Sequence, residues 1–316
     1  MSARPLFFRP PHLMAALVLV FAVAGCATRQ MPAYDNANRA WNVFGAAYRI
    51  HPDAPAFVTE CSLAWTSGKK SARILLDIWG DFRTPDQPAT VRMDAWTNLG
   101  GSLSKLRENG HGLAAFYPEQ LKGYFHADPI IGARLLGLPF PFSLADLADL
   151  LGGNFSNLVP QSYNSVQANA DGSFTYAFTQ GRLRSLTLDK SARPLSMSGE
   201  TTVPEEHREK LGGIWKIDFL HYPEQQPGTP VVSADRLFLT LPGEHRGSLR
   251  IQSRELKLAP WPEEALVLNL PPGTELRALD GVPRDWTTGR PADEEYPAPD
   301  VLPVPGPEQG GSEPIQ

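Results

Sequence analysis

From Ala56 onward the apolar residues of this chain fall at every second position, in one short run after another. That period leaves little room for anything but half-buried antiparallel strands. In AFVTECSLAW, residues 56–65, Phe57, Cys61, Leu63 and Trp65 share one phase, while Glu60 and Ser62 take the other. SARILLDIWG puts Ile74, Leu76 and Ile78 together, and TVRMDAW puts Val91, Met93 and Ala95 opposite Arg92 and Asp94. SFTYAF and RLRSLTL flank TQG, a hairpin signal, and RLFLTL and SLRIQSRELKL flank PGEHRG. Between them IWKIDFLHY aligns Trp215, Ile217 and Phe219. Strands that alternate in this way bury one face each. The chain therefore predicts a mainly β, α+β fold built on one long antiparallel sheet.

Helical spacing breaks the pattern in two places. NANRAWNVFGAAYRI carries Trp41, Phe44 and Tyr48 three and four apart, which predicts a helix packed on the main body. The second place lies in the middle of the sheet. DPIIGARLLG opens with Asp128 as N-cap and Pro129 at the first helical position, and Gly137 suits its end. SLADLADLLGG has Ser143 as N-cap, a stripe of Leu144, Leu147, Ala148 and Leu151, and a Gly152-Gly153 stop. LPFPF between them reads as a rigid apolar elbow. Such an insert can cover one face of a sheet.

The N-terminus fixes the compartment. Arg4 and Arg9 stand without an acid before LMAALVLVFAVAG, Leu13–Gly25, an uninterrupted apolar or small run that ends at Cys26. This is a secretory signal, shorter than the roughly 20 residues of a membrane span. VAGC, residues 23–26, resembles a bacterial lipobox. That resemblance implies cleavage before Cys26, lipidation of its thiol and amine with palmitate-type acyl chains, and an anchor of three chains. Ala27 rather than aspartate at the next position implies the outer membrane. Removal of residues 1–25 leaves 27 basic against 34 acidic side chains, a formal charge of −7. Cys61 is then the only unmodified cysteine, so no intrachain disulfide forms; its phase with Phe57 and Leu63 makes it an apolar filler. From about Gly281 the chain turns Pro-, Glu- and Gly-rich, which predicts a disordered tail over 281–316.

No catalytic constellation appears: G-x-S-x-G, a Walker loop, H-E-x-x-H and C-x-x-C are all missing from the sequence. His207 in PEEHREK has Glu205, Glu206 and Glu209 beside it, and these read as a solvated loop rather than a metal site. Asp77 and Asp94 fall in the polar phase of their strands and are expected on the solvent side, not as a general acid and base. No Lys/Arg cluster with interleaved aromatics points to nucleic acid. The expectations are no enzyme, no cofactor, no metal and a monomer.

One hairpin tip is out of character. In DAWTNLGGSLSKL, residues 94–106, strand-like residues end at Asn98 and resume at Ser102, and Leu99 stands between them with Gly100 and Gly101. Tips sit in water and are normally polar.

TNLGGS at Thr97–Ser102, LLGLPFPFSLADLADLL at residues 135–151, and then IWKIDF, EQQPGTPVV, DRLFLTL and RIQSRELKL in that order resemble the LolB family of outer-membrane lipoprotein receptors and the related periplasmic carrier LolA. The resemblance covers roughly residues 38–260. It implies an unclosed antiparallel half-barrel, with short helices forming a lid over an apolar cavity for lipoprotein acyl chains. It divides the chain into a signal (1–25), a lipidated linker (26–37), the half-barrel domain (38–280) and the tail (281–316). In the family a leucine in T-N-P-L-G protrudes into solvent and serves membrane insertion. Here P-L-G is replaced by L-G-G, so either the loop has re-registered with Leu99 in that role, or the tip function is lost, with Leu99 folded back on the sheet. Phe57, Leu63, Trp65, Ile74, Leu76, Ile78, Met93, Leu144, Leu147 and Leu151 are the candidate cavity wall; as a solid core they would use the same residues. The implied partners are a periplasmic lipoprotein carrier, lipoprotein acyl chains or another lipid, and the outer membrane. An alternative keeps the fold as a lipid-binding carrier or an envelope-stress sensor, and a hydrolase without a recognisable motif ranks below both.

Overall fold

The computed structural model describes residues 33–49, 54–84, 86–201, 203, 205, 212–224, 233–243, 245–282 and 285. The chain starts in the middle of its sheet. Strands β1 (Ala56–Ser67), β2 (Lys70–Asp81), β3 (Thr90–Thr97), β4 (Ser102–Asn109), β5 (Gly112–Tyr117) and β6 (Lys122–His126) run outward as an antiparallel meander. An insert then carries the chain to the far edge. From there β7 (Ser165–Ala168), β8 (Phe174–Ala177), β9 (Leu183–Leu188), β10 (Pro194–Thr201), β11 (Gly213–Leu220), β12 (Arg236–Leu241) and β13 (His245–Lys257) meander back until β13 pairs with β1. The last strand, β14 (Glu275–Ala278), lies parallel to β6. The result is one 14-stranded sheet, with β14 and β7 as unjoined edges. Apart from β14, the antiparallel sheet expected from the alternation is observed, and it is unclosed as the resemblance implied.

Register follows burial. β1 pairs with β2 from Ala56↔Asp81 to Ser67↔Lys70 without a break, and with β13 through one bulge at Glu60/Cys61. This sets Phe57, Cys61 and Leu63, at 1–2% exposure, on an inner face together with Leu76, Ile78, Val91, Met93 and Leu106. The same phase continues through Leu249, Leu237, Ile217, Met197, Leu186 and Tyr176. A one-residue slip in any pair would turn this whole row outward, which fixes the register.

Helices cover that inner face. α1 (Ala33–Tyr48) lays Trp41, Phe44 and Tyr48 against the returning strands. Trp41 packs tilted at 38° against Tyr176 with centroids 4.8 Å apart, and the Tyr176 hydroxyl donates to the Ala37 carbonyl at 2.6 Å. α2 (Pro129–Leu135) begins at the predicted cap, with Asp128 accepting from the amides of Ile130 and Ile131. α3 (Leu144–Leu151) begins at Ser143, whose hydroxyl accepts from the Asp146 amide, and Gly152 follows it.

The outer face holds a difference from expectation. After β13, residues 258–270 cross the outer face from the Phe57 end of β1 to β5 and β6 as a strap that includes α4 (Glu263–Leu266), before β14 joins the sheet edge. Trp261 donates through its indole to the Phe57 carbonyl at 3.0 Å and through its amide to Asp81 at 2.9 Å. Trp79 donates to the Ala265 carbonyl, and Arg92 to that of Val267. Leu268 completes a second apolar cluster with Ala114, Phe116 and Phe125. Asp94 is therefore not on the solvent side. It is 7% exposed and ion-paired with Arg92 at 3.1 Å and Lys105 at 3.8 Å. Asp77 is half-buried and accepts from the Trp96 indole at 2.9 Å; burial raises its pKa.

Candidate functional site

The ten candidate wall residues all meet on the inner face. Phe57, Leu63, Leu76, Ile78, Met93, Leu144, Leu147 and Leu151 are each at most 3% exposed, and Trp65 and Ile74 pack half-buried against the same cluster. Exposure this low leaves no space for a water-sized sphere beside the eight. In this state the wall is a packed interior, with the leucines of α3 seated on it. Trp65 and Ile74 mark the less buried end, where the Trp65 ring stacks on His245 at 5.6 Å.

α3 is more than an amphipathic cover. All eight of its residues are buried, Asp146 and Asp149 included. An apolar stripe explains the leucines but not two acids in the interior. Each acid is held by a side chain outside the helix: Asp146 by the distant Arg182 at 2.9 Å and Arg83 at 4.0 Å, Asp149 by the Asn157 amide eight residues on. The helix start is held from the sheet. Glu108, 4% exposed at the end of β4, accepts from the Leu144 amide at 2.6 Å. Burial pushes the Glu108 carboxyl up from 4.5 to about 7. The Leu144 bond and bonds from Ser143 and Ala145 pull it down, while the Asp146 charge pushes it further up. Sequence reading passed over Glu108, although its signal was present: it stands in the same phase as Ser104 and Leu106, on the buried side of a strand.

Cys61 is 1% exposed, and burial drives its thiol up to about 12, so it is a filler without nucleophilic character. Cys26, the predicted lipidation site, lies outside the described residues, as do Glu206, His207 and Glu209 and the tail beyond 285. Among the described residues no group of three or more His, Cys, Asp or Glu side chains is placed to hold a metal ion, and no helix is long and apolar enough to cross a membrane.

The tip residues form a separate feature. The Gly100 amide donates to the Thr97 carbonyl at 3.0 Å and closes a turn with Asn98 and Leu99 at its corner. Gly100 follows at φ +84°, a left-handed position suited to glycine. Then Thr97 N–H bonds the Gly101 carbonyl at 2.8 Å, and the Gly101 amide bonds the Thr97 hydroxyl at 3.0 Å. This is the three-residue hairpin loop with a left-handed third residue. It presents Leu99 at 98% exposure. The folded-back alternative for Leu99 does not occur. By strand direction the β1–β2 turn, with exposed Lys69 and Lys70, and the β5–β6 connection, with Leu121 at 48% exposure and Lys122, lie at the same end of the sheet.

No family model matches the chain, and no curated protein does. Among solved structures it is similar to a LolA superfamily protein from Nitrosomonas europaea, with 11% identity and a TM-score of 0.47 over 75% of this chain and 98% of that one. It is also similar to a DUF1329 family protein from Desulfovibrio piger, with 11% identity and a TM-score of 0.48 over 74% and 98%. An outer membrane lipoprotein-sorting protein domain from Vibrio parahaemolyticus gives 10% identity and a TM-score of 0.45 over 74% and 97%.

Proposed function

We propose that this chain is a lipid-anchored receptor on the periplasmic side of the outer membrane, which accepts lipoproteins from a soluble carrier on its inner face and releases them into the bilayer. It would be tethered through Cys26 and catalyse no covalent change. The observation that carries the reading is Leu99, 98% exposed on a loop closed by three hydrogen bonds. Exposing a leucine costs about 1.5–3 kcal/mol relative to burying it, and a bilayer removes that cost. Lys69, Lys70 and Lys122 at the same end favour an anionic membrane surface.

On this reading the packed inner face is the unloaded state. Leu144, Leu147 and Leu151 lie where an acyl chain would lie, and withdrawing three leucines costs roughly 5–9 kcal/mol. A saturated chain of about 16 carbons entering in their place regains about 12 kcal/mol at ~0.8 kcal/mol per methylene. Relative to a chain in water the exchange favours loading by about 3–7 kcal/mol, and a bilayer, which buries the whole chain, exceeds that margin at release. No ATP and no metal enters the scheme.

The test is to load an acylated lipoprotein on the periplasmic carrier and mix it with this protein bearing Cys26→Ser. Acylated cargo should move onto it, and the same cargo stripped of its acyl chains should not. If neither moves while lipid copurifies with the protein, the lipid-binding carrier or sensor reading takes its place.

A further inference from the structure

The outer face of the sheet is divided. Over β3–β6 the strap covers it: Arg92 is ion-paired with Asp94, and Arg107, opposite Arg92 on β4, feels the charge of Glu263 on the strap. Over β12, β13 and the turn-side halves of β1 and β2 the face is open and three arginines stand together. Arg236 on β12 lies directly opposite Arg250 on β13. Across β13's other side Arg250 faces Ser62 of β1, and Ala64, two residues on, faces Ser248 on one side and Arg73 of β2 on the other. These residues and Gln252 enclose a hollow of about 120 Å³.

The floor is small (Ser62, Ala64, Ser248) and the rim is cationic. Like charges directly opposite each other in a sheet are destabilising. Natural sequences relieve them with a facing carboxylate, but among the described residues none of the three arginines has one. Nearby acids are engaged elsewhere: Asp77 accepts from Trp96, and Asp218 holds Lys216 at 2.7 Å. Glu60, two residues from Ser62 on the same face, is exposed and makes no ion pair with the three. In a chain of formal charge −5, three guanidinium groups gathered around one hollow without a protein carboxylate form a local cationic site suited to an anion.

We propose that this hollow binds a phosphate group, held by Arg73, Arg236 and Arg250 with the hydroxyls of Ser62 and Ser248. A guanidinium fork matches two oxygens of a tetrahedral anion, and hydroxyls supply the short neutral donors between them. The hollow opens to solvent and has room at its floor for a tetrahedral anion. The site is independent of the receptor reading. Through the paired register Ser62 faces Leu75 and Leu75 faces Trp96, so the hollow stands about three residues, roughly 10 Å, from the level of the Leu99 tip. A soluble phosphate and a lipid headgroup present the same chemistry there, and the two arms of the test separate them.

The full chain with Cys26→Ser would be titrated with inorganic phosphate at constant ionic strength and, separately, sedimented with phosphatidylglycerol vesicles. Saturable phosphate binding is expected, weakened at least tenfold by Arg236→Gln or Arg250→Gln and less than twofold by Arg246→Gln, which lies on β13 outside the hollow. Both active variants should keep or raise the urea midpoint, because one of two opposed charges is gone. Vesicle binding lost in Arg250→Gln but not Arg246→Gln, with no response to free phosphate, would identify a lipid headgroup as the source. No binding of either, or an equal loss in Arg246→Gln, would overturn the site.

Discussion

Glu108→Gln isolates one group on which the lid depends. In the folded chain Glu108 titrates near 7 and, once solvated, near 4.5. Between those values the folded state holds a proton that the unfolded state has released, so stability falls as pH rises through the window. The contribution is full below about 4.5 and gone above about 7. A rise of about 2.5 in pKa, at ~1.36 kcal/mol for each, makes the total about 3 kcal/mol. Glutamine keeps an oxygen for the Leu144 amide and cannot ionise. Urea unfolding of both proteins at pH 5, 6, 7 and 8 is the assay. Subtracting wild type from variant removes every other titrating group. The difference should climb by a few kcal/mol from pH 5 to 8 in favour of the variant, and amide exchange in Leu144–Leu151 should slow with it. Parallel curves would refute the reasoning, because they would mean that Glu108 is solvated, or that the helix start holds the charged form as firmly as the neutral one.

Three further outcomes are expected. Leu147→Ala, at a position of 0% exposure under α3, should cost about 2–5 kcal/mol in urea unfolding, since the site is packed on every side. Cys61 should resist a thiol reagent at pH 8 in the native protein with Cys26→Ser and react at once in urea, because burial holds its pKa at about 12. Trp261→Ala, which removes the indole bond to Phe57 and the contact with the Lys257 ammonium, should cost about 2 kcal/mol, and trypsin should then cut at Lys257 or Arg277 first.

The alternation that begins at Phe57 was enough to mark the strands read from it and their buried faces, because burying one face of a sheet writes itself into every second residue, whereas the pairing register and the strands β5–β7, β10 and β14 were not read from it. The caps at Asp128 and Ser143 were equally legible, being local chemistry. The strap was not: LVLNL at residues 266–270 is short and bracketed by prolines, and what it covers lies more than a hundred residues away. The hint stood in its partner. GLAAFY is apolar in both phases, which marks a strand buried on both faces. The polar ties of α3 were hidden for a similar reason. Asp146 and Asp149 complete the polar side of a helical wheel, and nothing local announces that Arg182, 36 residues on, turns that side inward. Leu99 was conspicuous because the sequence around it obeys turn chemistry and it alone does not.

The central claim is that Leu99 delivers cargo to the bilayer, and release is the step that tests it. The protein with Cys26→Ser, loaded with an acylated lipoprotein, would be mixed with liposomes, and cargo in the floated lipid fraction measured for wild type, Leu99→Phe and Leu99→Asp. The account predicts transfer by the first two and a drop of at least tenfold for Leu99→Asp, with loading unchanged. Equal transfer by Leu99→Asp would contradict it.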